Sequence, residues 1–356
     1  MNAIAEQKRK NRIYAAVILG MVIAVLAVSV VCLFVGSSNM TFGEVVDALL
    51  GGGTNGQRRI IWRIRVPRVL AAIIAGAGLG VAGLVMQTTL NNPMASPSTL
   101  GVANGAVFGA NLSIIAFAGG FLSTGNNIQA FDVGANPYAT SVLAFVFATL
   151  TVLLILGLCT LRSFSPNVVV LSGMAISAVW TAATTILQFY ATDVGLSAAV
   201  VWSFGDLGRA TYRTDIMMAA VVVIGLGFFW LMRWKYNALL SGEATAKTMG
   251  VNVTGLRFAS LLLASVITAV CVSFLGVIGF VGIICPHVTK KILGQDHRVT
   301  VPVSALSGSL LLLLADTLSR SMGSGSALPV GAITSLLGAP FFLMVIFGKK
   351  GGHHGC

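Results

Sequence analysis

The chain has 356 residues, 22 Lys and Arg against 10 Asp and Glu, and 56% apolar residues; only 9% of positions are charged. A soluble domain carries roughly 25% charged residues, so the deficit excludes an ordinary cytosolic enzyme, a disordered chain and a disulfide-stapled secreted module. The composition is that of a polytopic membrane protein, since a helix needs about 20 apolar residues to cross a bilayer.

The basic stretch 1–12 reads as a cytoplasmic tail, and an apolar run over 13–35 follows it. That run is too long for a signal-peptide core and no small-residue cleavage site ends it, so it predicts a retained first helix. Apolar runs bounded by charge or by Gly, Pro and Asn clusters predict nine more spans, at 69–90, 99–119, 139–161, 168–190, 213–233, 257–275, 277–293, 302–319 and 328–348. Runs this long and uniformly apolar are not barrel strands. The expected fold is all-α, a single transmembrane domain over 1–356 with ten spanning helices. In the second span Ala72, Gly76 and Gly80 recur every fourth residue with Gly83 close by, a spacing that lets helix backbones approach. Cys32, Cys159, Cys271 and Cys285 have no C-x-x-C spacing and read as small apolar packers. His287, after Pro286, reads as a capping or packing residue. The tail 349–356 carries His353, His354 and Cys356. These are potential metal ligands, but a plain cytoplasmic end accounts for them as well.

Ten spans put both termini on one side of the membrane. That side collects 14 Lys and Arg and the other only 8, which assigns the termini to the cytoplasm. The eight on the outer side are all Arg, and five of them fall within 58–68. Arginine suits bidentate recognition of carboxylate or phosphate. Two readings stand for the cluster: a loop facing lipid headgroups, or a docking surface for an acidic extracellular partner. Asp316 and Arg320 are four residues apart and share a helical face, which predicts an ion pair near the outer membrane boundary. No G-x-x-x-x-G-K-[ST] string occurs, so no ATP site of that kind is expected in this chain, and no metal or nucleophile constellation is present. Of the acidic residues only Asp316 lies well inside an expected span, which argues against an ion-driven mechanism.

Between the sixth and seventh spans, 241–252 has the marks of a short helix. Ser241 is placed to cap it, Glu243 lies in its first turn at the positive dipole end, and Gly250 is placed to end it in a left-handed conformation.

Several local strings go beyond composition. They are Arg65-Val66-Pro67-Arg68; Asn92-Pro93-Met94-Ala95-Ser96-Pro97, running to Val102; Ser241-Gly242-Glu243 running through Lys247 to Gly250 and Asn252; Gly279 to Gly282 with Pro286-His287; Asp296-His297-Arg298; Ala315-Asp316; and Leu328 to Gly331 with Gly338 to Phe342. In this order, over about residues 40–348, the chain resembles the membrane permease of type II ABC importers, a family that takes up ferric siderophores, heme, cobalamin and related metal chelates. The resemblance implies a ten-helix permease in the cell (inner) membrane of a bacterium or archaeon, acting as a homodimer or with a close paralogue. It implies two cytoplasmic ATPase subunits that hold ATP and Mg2+, and an extracytoplasmic binding protein. No cofactor, catalytic site or nucleic acid is implied for this chain. Arg65, Arg68 and Arg320 match the arginines that meet the binding protein. The segment with Gly242, Glu243, Ala244, Thr245, Ala246, Lys247 and Gly250 matches the loop that couples to the ATPase, and its small residues suit a partner's cleft. The string at 91–98 would shape the inner mouth. An iron complex is the first expectation for the cargo. The alternative is an ion-coupled secondary transporter or exporter working without an ATPase.

Overall fold

A computed structural model describes residues 2–36, 40–118, 136–161, 164–322 and 327–347. His353, His354 and Cys356 lie outside these residues. The described residues are helices and their connections, with one isolated β-bridge between Phe204 and Val277.

The first helix, α1 (Asn2–Phe34), is basic to Arg12 and apolar all round beyond it, and it leaves most of its surface uncovered, as a lipid-facing helix does. Two short helices follow, each opened by a capping box: α2 (Phe42–Leu49) by Thr41 and Glu44, and α3 (Asn55–Ile60) by Thr54 and Gln57. From α3 the chain runs through a π-helical stretch, Ile61–Arg65, into α4 (Val66–Thr89). Pro67, which has no N–H for the helical ladder, falls where the wider turn gives way to the regular one.

The bundle is built around α4, which is buried along nearly its whole length. The chain passes from it through α5 (Val102–Asn111, extended by a π-helical stretch to Phe117), α6 (Pro137–Leu161), α7 (Pro166–Phe189) and α8 (Asp193–Ser203), which pack on one another, to α9 (Tyr212–Leu231), which packs against α4. The chain continues through α10 (Arg233–Leu240), α11 (Glu243–Thr248), α12 (Val253–Leu275), α13 (Val281–Leu293), α14 (His297–Met322) and α15 (Val330–Phe347).

The small-residue stripe of α4 works by backbone contact. A Cβ on Gly76 would lie 2.4 Å from the Gly308 carbonyl oxygen of α14, and one on Gly80 2.4 Å from that of Ser304. On Gly83 it would lie 1.8 Å from the Gly282 carbonyl of α13. The four cysteines within the spans are buried and unbridged, and His287 packs edge-on to Phe341.

Among the described residues, seven helices are long and apolar enough to cross a membrane: Ala5–Phe34, Asn55–Thr89, Pro137–Leu161, Pro166–Phe189, Tyr212–Leu231, Val253–Leu275 and His297–Met322. The third, eighth and tenth expected spans hold shorter apolar helices. The eighth is curtailed because α12 ends at Gly276 (φ 77°) and α13 starts only after Phe280, itself left-handed at φ 65°. Its 13 residues reach about 20 Å at 1.5 Å per residue, short of a ~30 Å hydrocarbon core. A further short helix, α8, stands where the sequence predicts only a connection.

Candidate functional site

Two polar sites stand at opposite ends of α4. Arg68 lies in its first turn and Thr89 is its last residue, so the two are separated by about 30 Å along the helix.

At the first end α4 and α14 bring Arg68, Asp316 and Arg320 together. Arg68 Nε donates to Asp316 Oδ1 at 2.6 Å, and Arg320 Nε stands 3.0 Å from Asp316 Oδ2. Asp316 is 1% exposed, Arg68 8% and Arg320 9%, so the acid is wholly spent on the two guanidinium groups. A longer ion pair, 3.5 Å, links Arg68 to Asp206 just before a 3₁₀ turn at Leu207–Arg209. Arg320 also donates to the carbonyls of Cys32 and Val35, and Arg65 to those of Leu33 and Phe34, where α1 ends. Asp206, Cys32 and Leu33 are far away in sequence and carried no signal of this role.

The expected docking arginines are therefore not surface charges. All three are buried, and together they line a cavity of about 170 Å³ with Gly36, Ile60 and Ile64. The NH2 groups of Arg68 and Arg320 make no hydrogen bond. Guanidinium groups lining one cavity suit a carboxylate or phosphate. The rest of the cluster stays outside: Arg58, Arg59 and Arg63 are exposed and, with Trp62, frame a shallow recess of about 540 Å³.

At the other end lies α11. Glu243 is in its first turn, Lys247 in its last, and Gly250 follows at φ 79°, as the sequence predicts. Ser241 is not its cap: it ends α10, and the capping position belongs to Gly242 at φ 103°, with no side-chain bond. Ala244, Thr245, Lys247, Thr248 and Met249 face outward, Met249 being 62% exposed. Ala246 points the opposite way and is fully buried against Leu239 and Val253. Only part of the expected partner-facing surface is thus available to a partner.

Behind α11 is a polar cavity of about 340 Å³ whose lining includes Glu243, Arg257, Lys290, Asn91 and Asn92. Lys290 donates to Gln87 Oε1 at 3.1 Å. Asn237, in α10, donates to Asp296 at 2.8 Å. Burial would raise the Asp296 carboxyl, but hydrogen bonds from the Arg298 guanidinium and backbone N–H, and from Asn237, outweigh it and hold the carboxyl below its ordinary value. Arg257 is 4% exposed and joins three elements. Sequence reading counted it only as a topology marker, although a cation inside an apolar helix always needs named partners. A second acid was also passed over: Asp215 in α9 is 3% exposed, and neither carboxylate oxygen has a hydrogen-bond partner.

No cluster of three or more His, Cys, Asp or Glu with metal-holding geometry occurs among the described residues.

The model of the FecCD transport family matches residues 21–348. A protein of Methanocaldococcus jannaschii provisionally named as an ABC transporter permease is 46% identical over 338 residues, 95% of each chain. The Fe(3+)-citrate import system permease of Bacillus subtilis is 30% identical over 341 residues, 96% of each chain. Among solved structures, a metal-chelate type ABC transporter in an inward-facing conformation superposes with a TM-score of 0.80 at 25% identity, covering 94% of this chain and all of that one. This chain is an integral membrane protein of the FecCD transport family, the permeases of type II ABC importers.

Proposed function

We propose that the chain imports a metal chelate, with an iron complex such as a ferric siderophore first and heme or cobalamin next, as the permease of a binding-protein-dependent, ATP-driven importer. The arginine end faces outward and receives an acidic surface of the extracytoplasmic binding protein. The α11 end and both termini face the cytoplasm, where two ATPase subunits bind ATP and Mg2+. A second copy of the chain completes the pathway in the cell membrane. The name of the Bacillus relative supports an iron cargo.

The observation that carries the reading is the cavity of Arg65, Arg68 and Arg320. Arg68 and Arg320 share the buried Asp316, Arg68 also reaches Asp206, and Arg65 lines the same cavity, so guanidinium groups outnumber these two acids there. A carboxylate offered by a docking partner would complete it, and such charge pairs set on-rate and salt dependence. Arg65 stands apart from Asp316, so Arg65→Gln removes charge and leaves the Arg68–Asp316–Arg320 set in place. With the purified binding protein, the variant should associate at least tenfold more weakly at low salt, with a smaller salt dependence and a melting temperature near that of the parent. Unchanged affinity and salt dependence would remove this cavity from docking.

One observation favours a second reading. Asp215 is a buried acid without a partner inside α9, the sort of group an ion-coupled carrier would use. ATP dependence separates the two. Uptake into proteoliposomes that needs ATP and persists without an ion gradient excludes the carrier.

A further inference from the structure

Arg257 occupies an unusual position. Its Nε donates to the carbonyl of Thr89, the last residue of α4, at 2.9 Å. One terminal nitrogen donates to the carbonyl of Phe164, two residues before α7 begins, at 2.8 Å. The other is ion-paired with Glu243, the first residue of α11. One buried side chain on α12 thus grips the ends of three other elements. Arginine is the side chain that can do this, because its planar fork presents donors in three directions at once.

The six residues of α11 lie between Gly242 at φ 103° and Gly250 at φ 79°, and a Cβ at either glycine would meet nothing within 4 Å. The two glycines thus bound α11 without side-chain packing, their N–H groups donating to the carbonyls of Leu239 and Lys247. Between them α11 is held to the bundle by two anchors, the buried methyl of Ala246 and the Glu243–Arg257 pair. The polar cavity behind it, about 340 Å³, leaves room for displacement. Glu243 is half exposed while Arg257 is buried, so the pair straddles the boundary between the exposed surface and the packed interior.

We propose that Arg257 is a positioning residue that transmits displacement of α11 to the inner end of α4 and to the segment leading into α7, with Glu243 as its handle. The proposal rests on the reading of 241–252 as the segment moved by the ATPase, and it adds the route by which that movement enters the bundle. When α11 shifts, its first residue pulls the guanidinium. The guanidinium carries with it the Thr89 carbonyl, beside the irregular 91–98 stretch, and the Phe164 carbonyl. A side chain that merely stapled the fold would show no difference between nucleotide states, whereas a transmitting one must.

The test is hydrogen–deuterium exchange on the full complex of permease and ATPase in lipid nanodiscs, with and without ATP and vanadate. In the parent, nucleotide should change exchange both in 243–250 and in 87–93. In Glu243→Gln the change in 243–250 should persist, while that in 87–93 falls at least fivefold. Gln keeps an acceptor oxygen for the buried guanidinium but not its counter-charge, so this variant should melt below the parent yet above Arg257→Lys. Arg257→Lys keeps the charge beside Glu243, but an ammonium on a flexible stem cannot hold three separated acceptors. It too should lose the response in 87–93, with a lower melting temperature. A nucleotide response in 87–93 that survives undiminished in Glu243→Gln overturns the proposal. A parent complex with no response in 243–250 overturns the reading of that segment itself, and the proposal with it.

Discussion

Asp316 is held between two guanidinium groups from different helices, and that arrangement decides what each of the three residues can do. Its carboxylate cancels one charge and fixes the direction of two forks, while their outer nitrogens reach Asp206 and the end of α1. Breaking a buried pair leaves an uncompensated charge and costs about 3–5 kcal/mol. Asp316→Ala should therefore lower the melting temperature in detergent far more than Arg59→Ala or Arg63→Ala, which alter exposed residues. It should also release Arg68 and Arg320 from their set directions and weaken binding-protein docking. A melting temperature equal to that of the parent would show that the ion pairs contribute nothing. The sequence made part of this network visible. Asp316 and Arg320 are one helical turn apart, so their pairing could be read directly. The Arg68–Asp316 contact spans 248 residues and depends on α4 lying against α14, which no local pattern encodes.

The short helix α11 shows the same division at the scale of an element. Its start at an acidic residue and its stop at a left-handed glycine were legible, because both follow from the unsatisfied backbone groups of any helix end. Its orientation was not. Within six residues composed of Glu, Ala, Thr and Lys there is no apolar stripe from which to choose a buried face, and Ala246 turns inward only because Leu239 and Val253 are there to receive it. The two alanines should therefore respond differently. Ala244→Glu, on the outward face, should abolish co-purification with the ATPase while leaving the melting temperature unchanged. Ala246→Glu should instead destabilise the segment itself, since it drives a charge into a packed site. Equal behaviour of the two variants in both assays would contradict this orientation. The α4–α14 contact is stricter. A Cβ on Gly308 would lie 2.0 Å from the Gly76 carbonyl oxygen, and backbone cannot rotate away as a side chain can. Gly308→Val should cost at least the ~1–3 kcal/mol of core overpacking. Thermal unfolding in detergent measures the loss, and a parent-like melting curve would mean the two helices part more easily than their packing implies.

At the scale of the molecule, hydropathy located the long helices well because a bilayer imposes length and apolarity on every residue of a span. It misjudged the eighth expected span most, because left-handed Gly276 and Phe280 break the helix inside an unbroken apolar run. It also missed α8, whose 11 residues are too few for a span and lie in a stretch read as a connector. The chain carries no phosphate-cradling loop of the Walker kind, so the purified permease should show no ATP turnover. Turnover should appear on addition of the ATPase subunit and rise with the binding protein. Hydrolysis by the permease alone, persisting through further purification, would contradict the division of labour.

The buried course of α4 has a thermodynamic consequence. Its first turn contributes Arg68 to the arginine cavity, its last carbonyl is in the grip of Arg257, and close glycine contacts bind the length between to α14 and α13. A partner seated at one end and a partner seated at the other therefore act on a single rod. Reciprocity then applies: if nucleotide on the inner partner changes the affinity of the outer one by some factor, the outer one must change nucleotide affinity by that same factor. The two can be measured separately, one by titrating at the arginine end and one at the far end, and the closed cycle leaves no free parameter between them.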